Sequence, residues 1–389
     1  MVLKKMKDND FSDQRNINAG KSKRNFFQID LLKAFMIAFV IIDHAIAYTY
    51  QAGLGLELWE RMSIPVFLII LGFNWGNSFK KEGKTKLREL YSLSYFKKKF
   101  WRFVFPYLIF YLVSTTIGFL IYGASFPETF SDNWIVDYII FQRSLLEGPG
   151  NWFIPILFQS IFLIPILYWF FQRTPKIALI MCFVIEICMH LFVFFYIGPV
   201  TVENVLNEIR MRLIIFLYIS AIGMGMWFTQ DHDLFSRKNL FAWILFPVSL
   251  LYMIAWDFFN FRLEIGGSGL VRGDYNYLTF IYSALIFLIV LKIIPRNPKN
   301  LFTKAFSVMG KATFHIYLIQ DLFYAILYII YNDVWISPGF SGFVNVFGIS
   351  SNDFLTNIGY LMVNWIICFS VGVFWWYCEG KFLKLIKQK

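Results

Sequence analysis

The sequence predicts an all-α integral membrane protein. Hydrophobic residues make up 58% of the 389, aromatics 21% and charged residues only 16%, against about 45–50% apolar and about 25% charged in an ordinary soluble domain. Apolar runs long enough for a bilayer recur through the whole chain. Lys and Arg collect between those runs, as they do in cytoplasmic loops. Counting runs and loop charges gives about ten transmembrane helices with both termini cytoplasmic, a multi-pass protein of the cell membrane. The net charge of +11 follows from these loops and does not call for nucleic acid.

The elements follow in order. Residues 1–25 form a flexible basic tail with Lys4, Lys5, Lys7, Lys21, Lys23 and Arg24. They contain no cleavable signal, so the first span serves as its own. Helix 1 is expected at 28–49 and helix 2 at 61–79, with Gly72 and Gly76 spaced for close helix contact. Residues 80–102 are the most basic segment and mark that side as cytoplasmic. Helix 3 follows at 103–123, with Pro106 in its first turn, where proline is tolerated. A polar outer segment at 124–150 includes a partly amphipathic stretch at 134–146. Helices 4, 5 and 6 are expected at 151–171, 177–198 and 210–229, with Glu203 and Glu208 in an outer loop. Helices 7 and 8 fall at 240–260 and 275–294. Helix 9 (305–331) is longer than a bilayer needs, which implies tilt or a kink. An outer loop at 332–354 leads to helix 10 (355–379). The chain thus reads as one membrane domain, 26–380, between the tail 1–25 and a basic tail 381–389. It shows no internal repeat. Its four cysteines lie inside apolar runs with no metal-ligand spacing.

Helix 1 departs from the pattern, because it carries Asp30, Lys33, Asp43 and His44. An ionisable group at bilayer depth costs roughly 2.5–3.5 kcal/mol on insertion scales. Lys33 and His44 are eleven positions apart, three turns and about 20°, so they share one face about 16 Å apart. Asp30 lies one turn below Lys33 and can pair with it. Interfacial anchoring explains Lys33 but not His44; three such groups on one face point to a cavity. Asp43 is rotated about 100° from His44 and is not an obvious orienting carboxylate. His190 and His315 read as packing residues and His232 as a solvated loop residue. Asp257 and Asp321 lie near or within spans without an evident role.

Five stretches then share an order with a known family. The first is Asp30-Leu-Leu-Lys33, ten residues, His44. The second is Ser63-Ile-Pro65 through Leu71-Gly72-Phe73, with Leu71 in place of serine. The third runs from Tyr95 to Tyr107 and holds Lys98, Lys99 and Arg102 before Pro106, with Lys99 where arginine is usual. The fourth is Asn151-Trp152-Phe-Ile-Pro155. The fifth is Gly310-Lys-Ala-Thr313-Phe-His-Ile316-Tyr317-Leu318-Ile-Gln320, with Gln320 in place of histidine. Across 26–380 the chain resembles the membrane acyltransferase-3 family. That resemblance implies transfer of an acyl group, with acetyl expected, from acyl-CoA to a hydroxyl of a sugar, cell-surface glycan or lipid. It implies no bound cofactor or metal; acyl-CoA, the acceptor and membrane lipid are the partners. It also marks Asn151, Trp152, Tyr317 and Gln320 as possible pocket residues.

The chemistry is coherent on its own terms. Acyl transfer from a thioester needs a base for the acceptor hydroxyl, and histidine is best poised for that near neutral pH. His44 is the expected base, with Lys33 and Asp30 completing the catalytic set. The donor's phosphates need fixed positive charge, which Lys98, Lys99 and Arg102 can supply. Two other readings compete. One is an N-acyltransferase of the heparan-glucosaminide type, whose first helix begins similarly. The other is a transporter or flippase with Lys33 and His44 in its path, although transporters often show repeats.

Overall fold

The structure, a computed structural model, describes residues 26–46, 55–122, 148, 150–197, 211–259, 354–388 and most of 261–330. The expectations for 1–25, 124–147, Glu203, Glu208 and 332–353 lie outside the described residues. The helices are α1 (Phe27–Ala45), α2 (Leu56–Glu60), α3 (Ser63–Lys81), α4 (Leu87–Leu90), α5 (Leu93–Lys99), α6 (Phe105–Tyr122) and α7 (Phe153–Arg173). They continue with α8 (Pro175–Ile197), α9 (Ile219–Phe228), α10 (Leu240–Phe259), α11 (Tyr277–Ile293), α12 (Leu301–Ile330) and α13 (Phe354–Gln388). A two-residue hairpin pairs Glu264–Ile265 with Ser268–Gly269.

The protein is an all-α, multi-pass membrane protein, but the expectation of ten spans is not met. Among the described residues, six helical segments are long and apolar enough to cross a bilayer: Leu58–Lys81, Leu87–Leu120, Phe153–Arg173, Pro175–Tyr196, Arg237–Phe259 and Asn357–Ile386. The physical reason lies in the other helices. Expected helix 6 is a 3₁₀ turn at Ile215–Tyr218 followed by α9, which has ten residues. All ten are buried, so their apolarity reflects enclosure by protein, not contact with lipid. Helix α11 has 17 residues. Helix α1 carries Asp30, Lys33 and Asp43, and α12 carries Lys304, Lys311 and Asp321 along its length. A run of apolar residues does not by itself distinguish a helix buried in protein from one that faces acyl chains.

The interior is built by close helix contacts. A Cβ on Gly72 would lie 2.2 Å from the Ile222 carbonyl oxygen, and one on Gly225 would lie 2.0 Å from that of Ile69. The backbones of α3 and α9 therefore touch, as the spacing of Gly72 and Gly76 predicts. Glu186, a buried acid within α8, accepts from the Ser220 backbone N–H at 2.9 Å. It thereby satisfies one of the orphan donors at the start of α9. Arg61, just before α3, pairs with Asp257 near the end of α10 at 2.9 Å, which gives Asp257 a structural partner. His190 packs edge-on against Tyr277.

Helix α1 is tied in at its foot. The Gln28 side-chain amide donates to the carbonyls of Leu291 (3.0 Å) and Ile294 (2.7 Å) at the end of α11. Those carbonyls have no partner within their own helix. Beside it, His232 is not solvated as expected. It is half-buried, lies edge-on to Phe26 and Phe73, and sits 2.9 Å from Arg296 through Nε2. An arginine only donates, so the ring accepts there and is neutral. Burial, then the Arg296 charge, lower its pKa. At the other end of the chain, α13 continues to Gln388 and carries Lys381, Lys384 and Lys387 on the helix.

Candidate active site

The ionisable face of α1 opens on a cavity of about 940 Å³, within the upper range of ligand sites. Asp30, Lys33, Ile37 and Val40 line it, a stripe at helical spacing. Lys33 Nζ is 2.9 Å from Asp30 Oδ1, and Ser307 Oγ donates to Asp30 Oδ2 at 3.0 Å. The pair is thus held by its own helix and by α12. His44 lies one turn above Val40 on the same stripe but does not line the cavity.

At His44 the structure departs from expectation in one respect. Asp43 Oδ2 lies 3.4 Å from His44 Nδ1, within ion-pair distance. Side chains 100° apart on a helix point away from each other only near the backbone; at the last turn both are long enough to converge. The His44 ring also packs edge-on against Tyr324, centroids 6.0 Å apart. The Tyr324 hydroxyl donates to the Ile41 carbonyl at 3.4 Å.

The opposite end of the cavity is cationic. Lys81, Lys98, Arg102 and Lys311 line it together with Lys33, against the carboxylates of Asp30 and Glu379. Phe100–Val104 is a π-helical turn between α5 and α6, an irregularity that often accompanies functional sites. Lys98 lies just before it and Arg102 within it, and both reach the cavity. Lys98 also meets Glu82 at 2.7 Å, and Lys84 meets the same carboxylate at 2.6 Å. Burial alone would raise the Glu82 pKa, but these hydrogen bonds outweigh it and hold the carboxyl below its usual range. Lys99 goes elsewhere. Its ammonium lies 3.2 Å from the Trp75 ring centroid, a cation–π contact, and it borders a separate apolar groove with Tyr107 and Phe158.

The expected pocket residues divide. Tyr317 lines the cavity beside Phe153 and donates to the Gly150 carbonyl. Gly150 has φ +114°, a conformation that favours glycine, and so turns the chain into α7 at this point. Trp152 is stacked between Tyr218 and Tyr275, at 5.6 and 5.7 Å. Asn151 and Gln320 are buried away from the cavity.

The structure also adds residues that sequence reasoning passed over. His315 Nε2 lies 3.0 Å from Glu379 Oε2, and both line the cavity. His315 is therefore more than a packing residue. The only signal in the sequence was an ionisable group in each of two apolar segments; nothing there paired them. Among the described residues no cluster of His, Cys, Asp and Glu is arranged to hold a metal ion.

The pattern of the Acyl_transf_3 family, described as an acyltransferase domain, matches residues 26–378. The chain belongs to that family. No curated protein and no solved structure matches the chain. The match spans α1 through most of α13, so every residue named around the cavity except Glu379 falls within it, and Glu379 is the next residue after it ends. Membership in this membrane-embedded acyltransferase family supports acyl transfer as the general activity.

Proposed function

We propose that the protein transfers an acyl group, with acetyl expected, from acyl-CoA to a hydroxyl of a sugar, surface glycan or lipid, with His44 as general base. The observation that carries this reading is the shape and charge of the cavity. It begins among Lys81, Lys98 and Arg102, runs along the Asp30–Lys33–Ile37–Val40 stripe, and stops one turn short of His44. A polyanionic head group suits the cationic end. A narrow arm suits the stripe, whose upper part is the apolar Ile37 and Val40. The thioester then lies near His44 and its neighbour Asp43 beyond the far end. The positive-inside bias puts the cationic mouth on the cytoplasmic side.

The proposed step balances. His44 takes the proton of the acceptor hydroxyl, with Asp43 stabilising the imidazolium. The alkoxide oxygen attacks the thioester carbonyl and forms the new C–O bond. The tetrahedral intermediate collapses with cleavage of C–S, and the CoA thiolate takes the proton back from His44. Lys33 is about 16 Å from His44 along the axis and so serves the donor's arm, not the oxyanion. Asp30 holds the Lys33 side chain in place at 2.9 Å.

The test is a product assay. Purified protein, acetyl-CoA labelled in the acetyl group, and extracted glycans or lipids are incubated, and label in the acceptor fraction is identified by mass spectrometry. Transfer to an ester supports the reading, and label retained wholly on CoA contradicts it. Label in amide linkage would assign the N-acyltransferase chemistry instead.

A further inference from the structure

The polar side of α3 faces the cavity without a part in the chemistry above. Asn74, Asn77, Ser78 and Lys81 line the cavity, at the helical spacing that puts them on one side of α3. Further along, the lining from α3 turns apolar, through Leu71, Ile70, Phe67 and Ile64. Two contacts set the level of the polar stripe. Lys98 meets Glu82, the residue after Lys81, at 2.7 Å, so the stripe starts at the cationic mouth. Phe73, next to Asn74, packs edge-on against Phe26 at the foot of α1, ring centroids 6.0 Å apart. Asn74 is thus level with the start of α1, and Asn77 lies about 4.5 Å nearer the mouth. Lys33, seven residues past Phe26, is about 10 Å deeper.

Both asparagines are partly buried, and neither amide has a hydrogen-bond partner among the described residues. Both amides nevertheless keep accessible surface in the cavity. Asparagine is a poor residue for a helix interior, and here no contact within the described residues repays it. A primary amide also differs from the cations around it. Lys81, Lys98, Arg102 and Lys311 only donate, whereas an asparagine presents a donor and an acceptor side by side. That combination matches the edge of adenine, where N7 accepts and the C6 amino group donates. Phe26 and Phe103 line the same cavity and offer apolar surface to a flat ring.

We propose that Asn74 and Asn77 read the adenine base of the acyl donor's head group. This rests on the acyl-CoA reading above and adds base selection to it. With the phosphates at Lys98 and Arg102, the base lies against the polar stripe of α3. The Nδ2 group of an asparagine donates to N7, and its Oδ1 accepts from the C6 amino group. Hypoxanthine, with an oxygen at C6, presents two acceptors there. An amide turned either way sets its Oδ1 against one of them.

The experiment is equilibrium binding to the purified full-length protein, with two probes: acetyl-CoA, and an analogue in which hypoxanthine replaces adenine. The probes share their phosphates, arm and thioester. The proposal expects the unaltered protein to bind acetyl-CoA about fivefold or more tightly than the analogue, the scale of one paired amide contact. In the double variant Asn74→Leu, Asn77→Leu, which keeps side-chain size but removes the amides, the two affinities should agree within about twofold. Where the double variant does not fold, the single variants carry the same test, and at least one must lose the preference. Equal affinities in the unaltered protein would overturn the proposal, as would a preference that survives removal of the amides. If the unaltered protein binds neither probe, the acyl-CoA reading itself fails and this assignment fails with it.

Discussion

Asp30 and Gly310 meet backbone to backbone. A Cβ on Gly310 would stand 2.0 Å from the Asp30 carbonyl oxygen and 2.5 Å from its Cα. This contact sets the register between the helix that carries Lys33 and His44 and the helix that carries His315 and Tyr317. Gly310→Ala has no flexible side chain to push aside, so the helices must separate. Overpacking costs about 1–3 kcal/mol, and occasionally more. We expect a lowered thermal midpoint in detergent and reduced turnover even where the protein still folds. An unchanged midpoint would show that the helices slide past each other freely.

The cationic mouth makes a graded prediction. Ala at Lys98 and Arg102 together should weaken acyl-CoA binding by about tenfold or more, since a hydrogen bond to a charged group contributes about 1.5–3 kcal/mol. The difference from wild type should shrink as salt rises. Lys99→Ala should act on stability instead, because its ammonium rests on Trp75 at 3.2 Å, a contact of about 0.5–2 kcal/mol. Isothermal titration paired with thermal melts separates the two effects.

Lys33 tests whether charge or bulk is needed beside Asp30. Lys33→Arg keeps the cation and should retain much of the activity. Lys33→Met keeps the stem, leaves Asp30 with Ser307 but without its ammonium partner, and should lower kcat/KM severalfold further. Equal rates in the two variants would reduce Lys33 to a space-filling role.

His232 should impose a pH dependence on stability. Its pKa is lowered below the ordinary value of about 6.5, through burial and Arg296, with Lys80 adding to the effect and Asp231 and Asp233 opposing it. On acidification the unfolded chain binds the proton first. Stability is therefore unaffected well above pH 6.5 and falls below it until the folded ring is protonated as well. The thermal midpoint should drop between pH 7.5 and pH 5.5, and His232→Asn should flatten that slope. A slope that persists in the variant would assign it to other groups.

Much of the α1 face was legible because helical spacing alone places Asp30, Lys33 and His44 together. Gly72 announced a close contact for the same kind of reason, since a missing side chain repeated along a helix has few other uses. Lys98 and Arg102 stand out as cations ahead of Pro106. The remainder depended on tertiary placement. Glu379 reaches His315 from 64 residues away, and a lone acid near the end of an apolar segment does not declare its partner. Lys99 looked equivalent to Lys98 until the π-helical turn and Trp75 distinguished their directions. The number of spans was overread because α9 is as apolar as a lipid-facing helix while being enclosed on every side.

The central claim is that the cavity delivers a thioester to His44. The most direct measurement is acetyl-CoA affinity alongside the single-turnover rate of acetyl transfer in wild type and His44→Ala. Removal of a general base predicts a rate lower by about 100-fold or more, with acetyl-CoA affinity within a factor of about two. Retention of the rate, or loss of affinity in parallel with rate, would contradict His44 as the base at the end of this cavity.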